Sequence, residues 1–481
     1  MKSYLRVLRH QDFRYLFLGQ AASVVGDRVV VVAIALYITQ RTGSPTDLGA
    51  VLGAQALALV ALLLFGGVWA DRLPRHRIMI ATDAVRGSLH AILAALIFLG
   101  AARIWEIVVI ETLFGAAQAF FQPAYTGLIP QTVPESLIQD AQALTESVAN
   151  VAFLVGPALA TAVVLGIGAG EAFAFDAATF VLSALLLLRV HPRPRGRSSA
   201  APASLRRELH DGWREVRSRV WVWVTIVVFA GAVMCVYAPW YALAPIISRD
   251  VYGGAGVFGV LESLAGVGAV AGALIGLRWR PARPLLAGLL LVMAWPVQNG
   301  LFALGAPVAL VGVVVFANGF GFSLLMIWWE TALARHIPAR ALSRVSAWDW
   351  MGSLALLPLG FLVAGPLAST FGAQPVLGVG CVIGVALLVV AVTQRSVREL
   401  GGEPDAASAE DLARDVGVEA RGEAEVTHVD PLVGAVHEGS RLEKAHVALR
   451  EEAVRGAVRE RGAEPARVRE RREDGRHRLG A

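Results

Sequence analysis

Long apolar runs, separated by short polar connections, dominate residues 13–393 of this 481-residue chain. A helix needs about 20 apolar residues to cross the hydrocarbon core of a membrane, and the runs have this length. Stretches such as 54–66 are apolar on every side, whereas the strands of a membrane barrel alternate polar and apolar positions. The pattern predicts an all-α membrane protein with twelve transmembrane helices, or spans, near residues 13–38, 46–70, 77–101, 105–125, 141–166, 171–189, 221–247, 254–278, 283–304, 307–334, 343–369 and 373–393.

The predicted spans fall into two groups of six on either side of a polar stretch. We expect an N-terminal six-helix half at 1–190, a cytoplasmic linker with a surface helix at 191–220, a C-terminal six-helix half at 221–393, and a charged, disordered cytoplasmic tail at 394–481. Basic connections, such as 72–77 and 189–219, alternate with connections that carry only isolated charges. Because basic loops remain in the cytoplasm, both termini are predicted to be cytoplasmic.

The overall composition agrees with a lipid environment and excludes several classes of function. Hydrophobic residues make up 56% of the chain, and its mean hydropathy is +0.58. The two cysteines lie inside apolar runs, so neither a disulfide framework nor a thiolate metal site is expected. Because no Walker loop, metal-ligand cluster or Ser/His/Asp spacing is present, we predict no enzyme activity, no cofactor, no metal and no nucleic-acid partner. Transport must then draw its energy from an ion gradient.

Almost all basic residues are arginines, which is typical of proteins from high-GC bacterial genomes; Lys2 and Lys444 are the only lysines. We therefore predict a monomeric, multi-pass protein of the bacterial cell (inner) membrane. Its predicted partners are the lipid bilayer, a small-molecule substrate, and a proton or another coupling ion.

The two halves carry traces of an internal duplication, which is common in transporters. Residues that follow span 4 recur after span 10 in the same order, at an offset of roughly 205 residues. The recurring pairs are Thr126 with Thr331, Leu128 with Leu333, Val133-Pro134 with Ile337-Pro338, Glu146 with Asp349, and Gly156-Pro157 with Gly365-Pro366. Parallel repeats of this kind place a binding site between the halves near the midplane of the membrane.

The most specific local motif is the hairpin between spans 2 and 3, which runs from Gly66 to Arg77 with the sequence GGVWADRLPRHR. In this motif, Gly67 is predicted to let its helix approach a neighbour closely. The carboxylate of Asp71 can meet a helix N-terminus or an arginine, while Arg72, Arg75 and Arg77 hold the hairpin at the cytoplasmic face. The same residues also fit a simple solvated turn.

The hairpin resembles the signature loop of the major facilitator superfamily, although Pro74 replaces the usual second glycine. Across the spans, the chain is similar to the bacterial drug, macrolide and siderophore efflux branch of that superfamily. This similarity rests on Phe13-Arg14, Ser23, Gly26-Asp27, Asp83 with Arg86, Phe120 to Ala124, and Leu128 to Pro130. The resemblance implies alternating access, with gating roles for Gly67, Asp71, Arg72, Arg75, Arg77, Asp83, Arg86, Gly156 and Pro157.

Ionisable side chains inside spans indicate cavities, partners or function, because a charge in lipid is costly. Asp27 lies in the middle of span 1 and Glu111 within span 4, and the resemblance implies that these spans line a central cavity with spans 7 and 10. Both carboxyls are predicted to couple proton movement to transport. A static ion pair of Asp27 with Arg28 or Arg86 explains the first of them equally well.

Two further groups of residues complete the predicted site. Asp83 and Arg86 lie three residues apart on one face of span 3, near its cytoplasmic end. They are predicted either to form an ion pair or to join the Asp71 hairpin, with a gating role. Aromatic walls suit bulky amphipathic or cationic compounds. The candidates for lining the substrate cavity are Arg28, Tyr237, Trp240, Tyr241 and Asn318.

Together, these features predict a secondary active transporter that exports drug-like or siderophore-like molecules in exchange for protons. The arginine that the superfamily often carries inside span 4 is absent, which leaves the coupling mechanism open. An uptake symporter or facilitator on the same fold is the first alternative. A non-transporting membrane sensor or partner protein that uses the long tail is the second.

Overall fold

A computed structural model describes residues 4–193, 205–276 and 278–401, and every regular element within these ranges is helical. The predicted tail beyond residue 401 and linker residues 194–204 lie outside the described residues. Apart from single-turn segments, the helices are α1 Gln11–Arg41, α2 Pro45–Arg72, α3 Arg75–Phe98, α4 Ile104–Thr132, α5 Ile138–Gly166, α6 Ala169–Leu187, α7 Leu205–Ser218, α8 Val220–Ala232, α9 Ala238–Val251, α10 Gly256–Gly276, α11 Pro284–Val292, α12 Ala294–Ala303, α13 Val308–His336, α14 Ala339–Leu354, α15 Leu357–Phe371 and α16 Ala373–Thr393.

Eleven helices in the described ranges are long and apolar enough to cross a membrane. Three of these spans combine consecutive segments: α8 with α9 as Val220–Val251, α11 with α12 as Pro284–Ala303, and most of α14 with α15 as Arg344–Phe371. In α5, a shorter apolar stretch, Val155–Gly166, has the same character. The prediction of an all-helical membrane protein is confirmed, with eleven spans of full length where twelve were predicted.

Local sequence explains where the helices begin and end. Before α2, the left-handed backbone of Gly43 (φ 65°) reverses the chain. The Ser44 side chain then caps the helix by accepting a hydrogen bond from the Asp47 N–H at 3.2 Å, and Pro45 occupies the first turn, where its missing N–H is harmless. The α2–α3 hairpin is sharp because Leu73 and Pro74 are both extended.

Within the N-terminal half, glycines allow α2 and α4 to pack with their backbones close together. A Cβ atom at Gly66 would overlap the backbone of Ala119, and one at Gly115 would overlap the backbone of Gln55. A Cβ at Gly67 would meet no described atom within 4 Å. The close approach predicted at Gly67 is therefore wrong by one residue, because Gly66 is the glycine that faces α4.

The C-terminal half repeats this style of packing between α10 and α13. Cβ atoms at Gly268 and Gly272 would overlap the α13 backbone at Phe316 and Phe320, and one at Gly319 would overlap the α10 backbone at Ala265. Helix α7 packs on α14 of the same half. There the ring centroids of Trp213 and Trp348 lie 5.1 Å apart, and the side chain of Val216 is buried.

Four pairs of helices make the main contacts between the two halves: α2 with α15, α5 with α10, α1 with α9, and α2 with α9. The Arg249 guanidinium donates to the Thr39 carbonyl at 2.8 Å, and a Cβ at Gly259 would overlap the side chain of Thr161. Likewise, a Cβ at Gly365 would overlap the backbone of Pro45. These contacts, which we call the inter-half seam, lie at the helix ends remote from the Leu73–Pro74 hairpin.

Candidate functional site

A cavity of about 230 Å³ lies between the halves. Asp27, Glu111 and Gln118 line it from the N-terminal half, and Tyr237 and Tyr241 line it from the C-terminal half. Most of the remaining wall is apolar and comes from α1, α2, α4 and α15. A mostly apolar cavity with a few convergent polar groups is typical of a small-molecule site.

Asp27 lines this cavity next to Gly26, where α1 packs closely on α6. A Cβ at Gly26 would overlap the side chains of Asp176 and Thr179, so only glycine permits this approach. The Asp27 side chain is 30% exposed, and its Oδ2 lies 4.0 Å from Nη1 of Arg86. This is a loose ion pair, which leaves the carboxylate accessible from the cavity.

Arg28 lies next to Asp27 but is exposed. Helix α5 approaches it closely, since a Cβ at Gly156 would overlap the Arg28 side chain. Pro157 lies within α5, and its carbonyl accepts a hydrogen bond from the Thr161 hydroxyl at 2.8 Å. The Gly156-Pro157 pair therefore lies where α5 meets α1, one helical turn before the inter-half seam.

The ion pair predicted on α3 is present. Arg86 Nη2 lies 2.5 Å from Asp83 Oδ1, and both side chains are almost completely buried. The Ser183 hydroxyl donates to the other Asp83 oxygen at 2.6 Å, and the Gln20 amide donates to Ser183 at 2.8 Å. At 1.5 Å per residue, Asp83 lies roughly 12 Å into its helix, so the pair is deep in the bundle rather than near the hairpin.

Aromatic rings surround the Arg86 guanidinium. Its central carbon lies 4.0 Å from the ring centroid of Phe121 and 4.3 Å from that of Phe180. Such cation–π contacts help to keep a cation inside a desolvated core.

One turn further along α3, His90 is fully buried between two carboxyls. Its Nδ1 lies 2.5 Å from Asp176 Oδ2 on α6, and its Nε2 lies 3.5 Å from Glu111 Oε1 on α4. The imidazole stacks on Phe114, with ring centroids 4.2 Å apart. His90 and Asp176 thus form a second layer behind the cavity, and Glu111 connects this layer to the cavity wall.

On the opposite wall, span 7 changes its helical register. Residues Val233–Tyr237 form a single π turn between α8 and α9. Asn299 in α12 donates to the Val236 carbonyl of this turn at 2.9 Å. A π turn inserts a residue into an α-helix and often marks a functional site; here it immediately precedes the helix that carries Tyr241.

The aromatic residues at the end of this turn and just beyond it have different environments. Tyr237 and Tyr241 line the cavity, with ring centroids 4.6 Å apart. Trp240 is buried, and its indole N–H donates to Glu262 at 2.7 Å. The hydroxyl of Tyr241 donates to the other oxygen of Glu262 at 2.5 Å. Glu262 therefore orients two neighbouring aromatic side chains from behind the wall.

The remaining predicted cavity residue, Asn318, contacts another helix. Its amide donates to the buried Gln298 side chain on α12 at 3.1 Å. This contact directs the Asn318 side chain towards span 9.

The signature hairpin closes one end of the N-terminal half. The Arg75 guanidinium donates to the carbonyls of Ala70 on α2 and Gly127 on α4. Arg72 and Arg77 are exposed. Asp71 lies in the last turn of α2, and its side chain lies outside the described residues. The described contacts thus dock the hairpin on α4 through Arg75.

Sequence reasoning did not assign a role to His90, Asp176 or Glu262. A signal for His90 exists, because Asp83, Arg86 and His90 follow the spacing i, i+3, i+7 and therefore share one face of α3. Among the described residues, no group of three or more His, Cys, Asp or Glu side chains is arranged to hold a metal ion. The site is thus a cavity backed by a buried network of hydrogen bonds and ion pairs.

Comparison with known proteins identifies relatives of this chain. The family described as Major Facilitator Superfamily matches residues 16–353. Macrolide efflux protein A of Streptococcus pyogenes is 25% identical over 323 residues, which cover 66% of this chain and 75% of that protein. Multidrug efflux pump Tap of Mycobacterium tuberculosis (strain CDC 1551 / Oshkosh) is 25% identical over 412 residues, which cover 82% of this chain and 95% of that protein.

Solved structures share the fold. The nucleoside transporter NupG superposes with a TM-score of 0.60 at 12% identity, over 82% of this chain and 98% of that one. A bacterial homologue of the human lysosomal transporter Spinster, in an inward-facing and unoccupied conformation, gives a TM-score of 0.59 at 16% identity, over 81% of this chain and 95% of that one.

Proposed function

Because the chain belongs to the Major Facilitator Superfamily and is therefore a multi-pass transporter and not an enzyme, we propose that it exports drug-like molecules in exchange for protons. The observation that carries this proposal is the cavity between the halves, where Asp27 and Glu111 face Tyr237 and Tyr241. Carboxylates opposite aromatic rings suit a bulky, cationic, amphipathic substrate. The macrolide and multidrug efflux relatives support export and make macrolides the first class to test.

We further propose twelve spans with both termini in the cytoplasm of a bacterial inner membrane. Helix α5, the fifth in chain order, brings the eleven spans to twelve, since its apolar stretch Val155–Gly166 continues a longer helix that begins at Ile138. The connections 72–77 and 189–193 lie together at one end, where residues of both line a common pocket with Gln131 of α4. There the Arg193 N–H donates to the Gln131 carbonyl at 3.0 Å. Their basic side chains favour the cytoplasmic side.

In this orientation, the inter-half seam lies on the outer side of the membrane. Helix contacts such as Gly259 with Thr161 hold the outer side closed, which corresponds to an inward-facing state. Export then requires the seam to open while the cytoplasmic ends approach each other. The gating residues for this change are Gly67, Asp71, Arg72, Arg75 and Arg77 of the hairpin, Asp83 with Arg86 on α3, and Gly156 with Pro157 on α5.

The volume of the cavity limits what it holds in this state. Sites for drug-sized ligands occupy about 300 to 1,000 Å³, and this cavity has a volume of about 230 Å³. A macrolide therefore requires side chains of the wall to move or the halves to separate further. Tyr237 and Tyr241 are the wall residues whose aromatic rings would contact the substrate.

Inside-out membrane vesicles test this proposal, with radiolabelled erythromycin as the probe. Vesicles with an acidic interior should accumulate erythromycin, and nigericin, which collapses the pH gradient, should abolish the accumulation. Asp27→Asn and Glu111→Gln should each lose the gradient-driven component. Glu135→Gln removes an exposed carboxylate outside the cavity and should behave as wild type.

The outcomes separate the alternatives. Accumulation in right-side-out vesicles, and not in inside-out ones, would establish an uptake symporter. Background transport in both orientations for a panel of macrolides, other drugs and siderophores, together with loss of a cellular phenotype when residues 402–481 are deleted, would establish a sensor or partner protein.

A further inference from the structure

The surroundings of His90 differ at its two ring nitrogens. Nδ1 is 2.5 Å from Asp176 Oδ2, so this hydrogen bond must contain a proton. Nε2 is 3.5 Å from Glu111 Oε1, beyond a normal hydrogen bond, and neither of these two atoms has another hydrogen-bond partner among the described residues. One side of the imidazole is therefore fixed, while the other side faces an acceptor across a short gap.

This gap is unusual for a purely structural pair. Buried polar atoms without a partner cost about 1 to 3 kcal/mol each, and native cores pair nearly all of them. A movement of roughly 0.6 Å would bring Nε2 and Oε1 to a normal distance of about 2.9 Å. Since Glu111 lines the cavity, such a movement would connect the cavity wall to the buried His90–Asp176 pair.

The charges around His90 favour bound protons. Carboxyl groups contact it from two neighbouring helices, as Glu111 on α4 and Asp176 on α6. Its own helix contributes the Asp83–Arg86 pair, and Asp27 on α1 lies 4.0 Å from Arg86. Arg28, the other cation in this region, is exposed. Three carboxyls of this cluster, those of Asp83, Glu111 and Asp176, are buried with one guanidinium, that of Arg86. Burying excess negative charge is strongly unfavourable, so this arrangement favours bound protons.

Aromatic rings keep water away from the imidazole. Phe114 stacks on it, Phe173 lies edge-on with ring centroids 5.4 Å apart, and Phe180 lies 6.1 Å away. Glu111 both lines the cavity and lies 3.5 Å from the ring, so it provides a route for a proton from the cavity to His90.

We propose that His90, held by Asp176, is a second proton-binding site that exchanges its proton with Glu111 at the cavity wall. In the forward step, the Glu111 carboxylic acid gives its proton to Nε2, which leaves a carboxylate and an imidazolium ion balanced by Asp176. The reverse step returns the proton to Glu111 and restores the neutral ring. This inference rests on the proposed proton-coupled export and adds the place where the proton is stored while the cavity holds substrate.

The first test measures the protonation of His90 directly, without a transported substrate. Solid-state 15N NMR of the full chain, labelled at histidine and reconstituted in lipid vesicles, should show the His90 ring changing from imidazole to imidazolium between about pH 9 and pH 5. The His90 signal is identified by its loss in His90→Gln or, if that variant does not fold, by its displacement in Asp176→Asn. A His90 signal that keeps one protonation state over this range would overturn the proposal.

The second test separates coupling from transport in proteoliposomes loaded with erythromycin. His90→Gln should lose accumulation driven by a pH gradient but retain erythromycin exchange without a gradient, and Asp176→Asn should show the same loss. His336→Gln is the matched control, because His336 is also buried but contacts the Ala332 carbonyl in the other half. Driven accumulation at the wild-type level in His90→Gln would refute the inference and leave the export proposal standing. If the wild type itself ignores the gradient, proton-coupled export fails, and the NMR titration alone decides whether His90 binds a proton.

Discussion

Arg86 offers the sharpest test of the energetics of the buried network. Its guanidinium lies 2.5 Å from Asp83, and the two side chains are 1% and 0% exposed. Methionine keeps the length and apolar character of the arginine stem but removes the charge. Arg86→Met therefore leaves the Asp83 carboxylate in the core with the Ser183 hydroxyl as its remaining hydrogen-bond donor.

The magnitude follows from this burial. Removal of one partner from a buried ion pair costs about 3 to 5 kcal/mol, because an uncompensated charge remains. The lost cation–π contacts with Phe121 and Phe180 add up to about 2 kcal/mol when desolvated. We expect the free energy of unfolding to fall by at least about 3 kcal/mol, since the carboxylate is the larger cause.

The assay is reversible unfolding in mixed micelles with increasing dodecyl sulfate. The double variant Asp83→Asn with Arg86→Met should recover most of the lost stability, because it leaves no unpaired charge at the Asp83 position in the core. Asp27, the second carboxylate near Arg86, is 30% exposed and stays solvated from the cavity in both variants. Arg77→Met, an exposed position on the same helix, should change stability by less than about 0.5 kcal/mol. A single variant as stable as wild type, or a double variant less stable than Arg86→Met, would refute the reasoning.

Three further predictions concern packing and hydrogen bonding. Gly259→Val should force the inter-half seam apart and lengthen the distances between spin labels placed on either side of it. Gly166→Val is the control and should leave these distances unchanged, because no described atom lies within 4 Å of a Cβ added there. Equal distances in both variants would contradict the packing. Glu262→Leu leaves two aromatic hydrogen-bond donors unpaired and should lower the free energy of unfolding by about 1 to 3 kcal/mol, and Glu262→Gln by less. Asn299→Leu leaves a carbonyl of the π turn unpaired and should reduce this free energy by a similar amount, about 1 to 3 kcal/mol; wild-type stability would show that water replaces the amide.

Local sequence patterns predicted the fold because membrane spans depend mainly on continuous apolar length. The resemblance of the hairpin to one superfamily is confirmed by the family match over residues 16–353. Where the sequence failed in detail, the reason is helix rotation. Gly66 and Gly67 are adjacent and chemically identical, and only the packed orientation of α2 shows that Gly66 faces α4.

For the candidate site, too, local sequence patterns indicate single residues but not which helix faces meet. Asp27 and Glu111 were found because charges inside apolar runs are conspicuous. His90 was missed, although it shares a face with Asp83 and Arg86, because a histidine in an apolar run is often an ordinary core residue. The partners of Asn318 depend on which helix stands opposite, and no local pattern contains that information.

The π turn at Val233–Tyr237 has an evolutionary consequence. Each residue added to a helix rotates everything beyond it by about 100° relative to what precedes it. Deleting one codon within this turn would restore a regular helix and present different side chains of α9 to the cavity, with no amino-acid replacement in the wall. The set of side chains that faces the cavity can therefore change by insertion or deletion of a single residue in this turn. Sequence comparisons that score only substitutions would overlook such a change.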